Sequence, residues 1–230
     1  MKHHSVFWAA IKYSIPVLLG YLAIGIAFGL LMADSGYPWW LSLVMSAVMY
    51  AGAGQYIAVG LFAAGTSLWE AALVQLVVNA RHVAYGFSML NQFSNTGPYK
   101  FYLIYGMTDE TFALLSSMPE GINHDRTKFM FLVTIMNHCY WITGSVTGAV
   151  IGALIPFSTQ GIGFALTALF IVLLVEQILR VRKPGVFIVS AIAAVLCVFF
   201  LPSRMSMLAA MVLALALSSL FIKPGPGSAS

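Results

Sequence analysis

The chain is short of charge. Of its 230 residues only 8% are Asp, Glu, Lys or Arg, while 60% are hydrophobic. An ordinary soluble domain carries about 25% charged residues, so the composition excludes that class, and its long uncharged runs point to an integral membrane protein. Cysteine is scarce too. Cys139 and Cys197 stand far apart without metal-ligand spacing, and each reads as a small apolar packing residue. No His-Glu-x-x-His motif occurs and no Ser or Cys has an evident paired base, which argues against an intramembrane enzyme. No internal repeat is strong enough to claim. The net charge of +4 follows from basic loops on one side of a bilayer and carries no nucleic-acid inference.

A helix needs about 20 residues to cross a bilayer core of about 30 Å. Division of the apolar runs by that length predicts an all-α protein with eight transmembrane helices. They read as Tyr13 to Ala33, Pro38 to Ala64, Leu68 to Leu90, Lys100 to Met118, Phe129 to Ile155, Thr159 to Leu179, Gly185 to Leu201, and Met205 to Ile222. Pro156 separates the fifth from the sixth. The first has no small-residue cleavage site after it and is expected to be retained. Residues 1–12 form a cytoplasmic segment, 13–222 a single transport domain, and 223–230 a Pro/Gly coil.

Cytoplasmic loops hold the excess Lys and Arg. Eight crossings with both termini cytoplasmic gather Lys2, Lys12, Arg126, Lys128, Arg180, Arg182, Lys183 and Lys223 on one side, leaving Lys100 and Arg204 opposite. A re-entrant loop at Pro38 to Ala64 instead of a crossing would move Arg126, Lys128 and the 180–183 cluster outside. That segment is therefore expected to cross fully.

Four consecutive spans carry polar or helix-breaking residues near mid-depth: Gly52, Gly54 and Gln55; Asn79, Arg81 and His82; Asp109 and Glu110; Asn137 and His138. A charge at mid-bilayer costs roughly 2.5 to 3.5 kcal/mol on insertion scales, which makes such residues functional candidates. Two glycines within Tyr50-Ala-Gly-Ala-Gly-Gln55 predict a discontinuous second helix, whose second half aims a positive N-terminus at the midplane. The alternative is that Gly52 and Gly54 only admit a neighbouring helix. Gln75, Asn79, His82 and Gly86 share one helical face. Arg81, beside it, pairs either with a substrate carboxylate or permanently with Asp109 or Glu110.

Asp109 and Glu110 lie about 100° apart on a helix, so they face different partners. Asp109 falls on a stripe with Tyr102 and Tyr105, Glu110 over Gly106 and Ala113. A carboxyl group taken out of water can hold a proton near neutral pH. Glu110, His82 and His138 are the candidate proton-coupling residues, with a structural role for each as the alternative. Gly52, Gly54, Gln55, Asn79, Arg81, Asp109 and Tyr105 are the candidate substrate-binding residues. Neither a catalytic residue nor a metal ligand or cofactor is expected. The stripes Gly25/Gly29 and Gly144/Gly148/Gly152 serve either packing within the chain or docking of a small subunit.

Gly52-Ala-Gly-Gln55, Asn79-Ala-Arg-His82 with Tyr85-Gly86, and Thr108-Asp-Glu-Thr-Phe112 resemble the signature segments of the AzlC/YgaZ family, the large subunits of branched-chain amino acid exporters of the LIV-E type. The resemblance runs from about Ser14 to Met211. It implies secondary-active, proton-coupled export of valine, leucine, isoleucine and possible relatives such as methionine across the bacterial inner membrane. It also implies a small AzlD/YgaH-like membrane subunit, and leaves room for an oligomer of such heterodimers. The rival reading is a permease subunit of an ATP-driven amino acid transporter. Against it, the longest inner loop, Pro119 to Lys128, is short for docking an ATPase.

Overall fold

The computed structural model describes residues 3–118, 126–155 and 184–201, with scattered positions between 171 and 217. Every regular element among them is helical: α1 (His3–Asp34), α2 (Trp39–Val48), α3 (Gly52–Ala63), α4 (Leu68–Phe93), α5 (Tyr99–Tyr105), α6 (Asp109–Ser116), α7 (Arg126–Leu154) and α8 (Pro184–Phe200). The chain divides into two compact units, Met1–Leu166 and Thr167–Ser230. In the second, α8 coincides with the seventh predicted span and is apolar on all sides. Its Ala193 and Cys197 are buried, while Ile188, Ile192 and Val195 are exposed. The predicted spans Thr159 to Leu179 and Met205 to Ile222 lie largely outside the described residues, and the turn at Pro156 and the tail wholly so.

The first unit is built on α1 and α7, which lie parallel and touch through backbone. A Cβ added at Gly29 would land on the main chain of Ser145 and Ala149, and one at Gly148 on the main chain of Ile26. Gly25 faces Gly144, and Gly152 faces Ala33. Both small-residue stripes are thus used within the chain, because helices without side chains between them approach most closely. Tyr13 meets Phe129 near the start of both helices, with ring centroids 5.6 Å apart. Only these two of the described helices are both long and apolar enough to cross a membrane. α4 has 26 residues but carries Gln75, Asn79, Arg81 and His82.

α4 runs antiparallel to this pair. A capping box starts it, Ser67 accepting from the Glu70 N–H while the Glu70 carboxylate accepts from Ser67. At its far end Met89 and Phe93 enter a core with Val6, Ala10, Phe129 and Met130. The unit therefore has a basic end, with Lys12, Lys100, Arg126 and Lys128, and an acidic end, with Asp34 and Glu70. Exposed Trp39, Trp40 and Trp69 ring the acidic end and Trp8 the basic end, the placement of interfacial aromatic belts.

The predicted break in the second span is present, but its second half turns back. α2 enters from the acidic end, Ser42 Oγ donating to Ser145 O (3.3 Å) and Ser46 O reaching His138 (3.1 Å). The chain reverses through Met49–Ala51, with Tyr50 at φ 40°, a left-handed conformation that a bulky residue adopts only under constraint. α3 then returns. Trp141 Nε1 donates to Gln55 Oε1 (2.8 Å), the Tyr56 hydroxyl to Ile24 O (2.7 Å), and Phe62 packs on Tyr37 at the acidic end.

The fourth span departs from expectation in the same way. It is not one helix: α5 enters from the basic end, with Tyr99 on Phe131, and reaches midplane at Tyr105 beside His138. It stops at Gly106, whose absent Cβ admits Thr134. α6 starts at Asp109 and returns to the basic end, where the Tyr13 hydroxyl donates to Leu114 O (2.9 Å) and Ser117 O (3.0 Å). Segments 38–64 and 100–118 are thus re-entrant hairpins rather than crossings. Their halves, at 1.5 Å per residue, are about 10 to 18 Å long and reach only halfway through a bilayer core. Through residue 155 the full-length helices are α1, α4 and α7.

Candidate functional site in the midplane

Thr108 fixes the start of α6. Its side chain accepts from the Thr111 N–H (3.3 Å), leaving Asp109 and Glu110 in the first turn, where the helix dipole favours carboxylates. Asp109 points to α4: Arg81 Nη1 lies 2.7 Å from Asp109 Oδ2, with the two side chains 34% and 24% exposed. The pair leaves groups over. Arg81 Nε, Asp109 Oδ1 and Asn79 Oδ1 are buried and have no hydrogen-bond partner. Unpaired buried polar atoms are expensive, and the ion pair leaves one on each of its partners.

The N-terminus of α3 closes the other flank. Ala51 at its cap makes no side-chain cap bond, so the first amide N–H groups of α3 are left for another acceptor. Gly54 is needed there because a Cβ would come within 2.8 Å of Gln75 Oε1, 3.1 Å of Asn79 Nδ2 and 3.1 Å of Met49 Cε. The amides use that room. Gln75 Nε2 donates to Gly54 O (2.8 Å), and Asn79 Nδ2 donates to Gln75 O (2.9 Å) and Oε1 (3.1 Å). Gly52 has a different neighbour, Trp141, 3.3 Å from where its Cβ would be.

Of the expected site residues, Gly54, Asn79, Arg81 and Asp109 lie on or against α4, whereas Gly52 faces Trp141 of α7. Gln55 does not join them. It is fully buried with its amide spent on Trp141 and on Ser46 Oγ (3.2 Å), because the first turn of α3 swings it toward α7. Tyr105 also lies elsewhere: the break at Gly106 destroys the helical stripe that would join it to Asp109. Its hydroxyl donates to Ala47 O instead (2.5 Å).

Glu110 faces away from Arg81, as the 100° offset predicts. The Tyr21 hydroxyl donates to Glu110 Oε2 (2.7 Å) and lies 2.6 Å from Thr108 Oγ1. A cavity of about 230 Å³ between α1 and α6, lined by Gly20, Tyr21, Glu110 and Ala113, opens beside it. His138 bridges Tyr102 and Ser46 O and stacks on Tyr50 at 4.1 Å. His82 Nδ1 bonds Asn79 O of its own helix (3.1 Å) and sets its ring edge-on to Tyr85. Cys139 is exposed rather than packed.

Tyr21, Tyr50 and Thr111 belong to the polar interior without having been expected there, and Trp141 joins them from the helical face it shares with His138. Thr108 to Thr111 had a readable signal, a Thr preceding an acidic first turn. Tyr21 had none, since nothing in an apolar run distinguishes a tyrosine aimed at a distant carboxylate. Among the described residues no group of three or more His, Cys, Asp or Glu could hold a metal.

These features define an α-helical membrane protein whose interrupted helices surround an ion pair at mid-depth. The model of the AzlC protein family matches residues 16–155, and the chain belongs to that family. It is 41% identical over 219 residues to an uncharacterized membrane protein of Helicobacter pylori, covering 94% of this chain and 95% of that one. It is 38% identical to the branched-chain amino acid transport protein AzlC of Bacillus subtilis, over 80% of this chain and 74% of the relative. Identity to the inner membrane protein YgaZ of Escherichia coli is 32%, over 76% and 75%. No solved structure matches.

Proposed function

We propose that this protein is the large subunit of a secondary-active, proton-coupled exporter of branched-chain amino acids in the bacterial inner membrane, working with a small AzlD/YgaH-like subunit. The basic end, with the N-terminus, faces the cytoplasm, as does the C-terminus. The observation that carries the reading is the incompletely used ion pair. Arg81 keeps a buried donor unpaired and Asp109 a buried acceptor, while the start of α3, whose N-cap makes no side-chain bond, meets the same helix α4 at Gln75 and Asn79.

A zwitterion supplies the complement of each. Its carboxylate accepts from Arg81 Nε and from the first amides of α3, as anions do at helix N-termini. Its ammonium donates to Asp109 Oδ1 and Asn79 Oδ1. The branched side chain then lies toward Tyr85 and Phe112, which stack with centroids 4.5 Å apart. Glu110, held by Tyr21 on the far side of α6, exchanges the proton. The name of the Bacillus relative, which is a branched-chain amino acid transport protein, supports the substrate class.

Reconstituted with and without its small subunit, the protein should exchange labelled valine. Arg81→Gln and Asp109→Asn should each lower that exchange at least a hundredfold. The swap Arg81→Asp/Asp109→Arg restores attraction between the two positions but inverts their polarity toward the substrate, so it should fold and stay inactive. Transport by the swapped protein would make the pair purely structural and sink the proposal. ATP-independent exchange disposes of the ATP-driven permease.

A further inference from the structure

The two hairpins follow one pattern in opposite directions. α1 crosses from the basic to the acidic end and is followed by a hairpin entering from the acidic end. α4 crosses back and is followed by a hairpin entering from the basic end. This is the arrangement of an inverted repeat, related by an axis in the membrane plane, with the binding site where the broken helices meet. Each entering half ends near a tyrosine, Tyr50 or Tyr105, and each returning half begins at midplane, at Gly52 or Asp109.

The hairpin tips hold each other. The Tyr105 hydroxyl of one donates to Ala47 O of the other. His138 of α7 is bound to both: Ser46 O, a carbonyl, can only accept, so Nε2 carries the hydrogen. In the neutral ring Nδ1 then accepts from the Tyr102 hydroxyl (2.8 Å). On either side of the Arg81–Asp109 pair a different hairpin bars the way. Toward the basic end, Phe112 of α6 stacks on Tyr85 with the planes 13° apart. Toward the acidic end, Gly54 of α3 accepts from Gln75.

We propose that α2–α3 is the gate to the acidic face and α5–α6 the gate to the basic face, and that the contact of their tips at Ala47, Tyr105 and His138 keeps both from opening together. The gating rests on the transport reading; the hairpins do not.

Two arms test it. In a background with Cys139→Ser and Cys197→Ser, single cysteines at Lys12, Lys100 and Thr66 are treated with a membrane-impermeant maleimide in vesicles of known orientation. Lys12→Cys and Lys100→Cys should label from one face and Thr66→Cys from the other. Eight successive crossings put Lys12 with Thr66 and Lys100 opposite, and that result would overturn the inverted hairpins.

In the second arm, Ala47→Cys/Tyr105→Cys is bridged with a short bis-methanethiosulfonate, each thiolate displacing methanesulfinate to form a disulfide that a reductant later cleaves. Valine exchange should fall at least tenfold and return on cleavage, whereas unchanged exchange in the bridged protein overturns the gates. In parallel, Tyr105→Phe keeps the ring and loses the bond to Ala47. It should raise the reactivity of Asn79→Cys toward an impermeant thiol reagent at least threefold, and unchanged reactivity counts against the gates. A wild-type protein that exchanges no amino acid fails the transport reading and the gates with it, while the labelling arm still decides the topology.

Discussion

Asp109 and Glu110 are adjacent in sequence and opposed in space, and that separation is what lets one helix start serve two purposes. Asp109 meets Arg81 on α4, and Glu110 meets Tyr21 on α1. Glu110→Gln keeps an oxygen to accept from Tyr21 and removes only the titrating group. Valine exchange by that variant should stay within about twofold of wild type, while uptake driven by a pH gradient is lost; gradient-driven uptake at the normal rate would clear Glu110 of the proton role. Gly54→Ala acts on the other flank. Its neighbours are mobile side-chain ends, so they would yield rather than unfold the protein, pulling the Gln75 and Asn79 amides off the start of α3. The expected result is about a tenfold weaker apparent affinity for valine with little change in thermal stability.

These residues were largely legible in the sequence, because glycine pairs and mid-span charges are rare in apolar runs and have few other uses. Gln55 was misplaced for an instructive reason. Sequence shows that a polar residue follows the break, but which way the first turn points depends on a partner, Trp141, lying 86 positions away.

At the level of elements, the seam between α1 and α7 contrasts with the hairpins. There, glycine meets main chain, which cannot move aside. Overpacking a tight interior typically costs about 1 to 3 kcal/mol, and main-chain contacts leave no rotamer to relieve it. Gly29→Ala and Gly148→Ala should therefore each lower the detergent-solubilised melting temperature by several degrees, unlike Gly54→Ala. Equal stability of all three would deny the seam its special role. The hairpins themselves were hidden from sequence by their length. A stretch of about 20 apolar residues satisfies a crossing and a there-and-back excursion equally, since hydropathy counts residues and not direction. Only Tyr50 with a positive φ and the Gly106 stop decide it.

Across the whole molecule, parity explains why a correct rule led to full crossings at 38–64 and 100–118. One hairpin alone would invert every later loop, which is the argument for a full crossing at Pro38 to Ala64. Two hairpins cancel, so Arg126 and Lys128 return to the side of Lys12, and Lys100 joins them. The charge asymmetry of the first unit becomes sharper than eight crossings make it. Lys100→Gln/Lys128→Gln should accordingly reduce the fraction of chains inserted with the N-terminus in the cytoplasm, measured by protease access to an N-terminal tag. An unaffected orientation would assign insertion to other segments.

Arg81 and Asp109 neutralise each other when the site is empty, and a zwitterion adds no net charge when it is full. Moving one elementary charge through 100 mV takes about 2.3 kcal/mol, so a site of zero net charge re-orients without work against the membrane potential. Voltage then acts on the proton alone. In potassium-clamped vesicles, amino acid exchange should proceed at the same rate at any potential, while net flux grows with the voltage that draws the proton in.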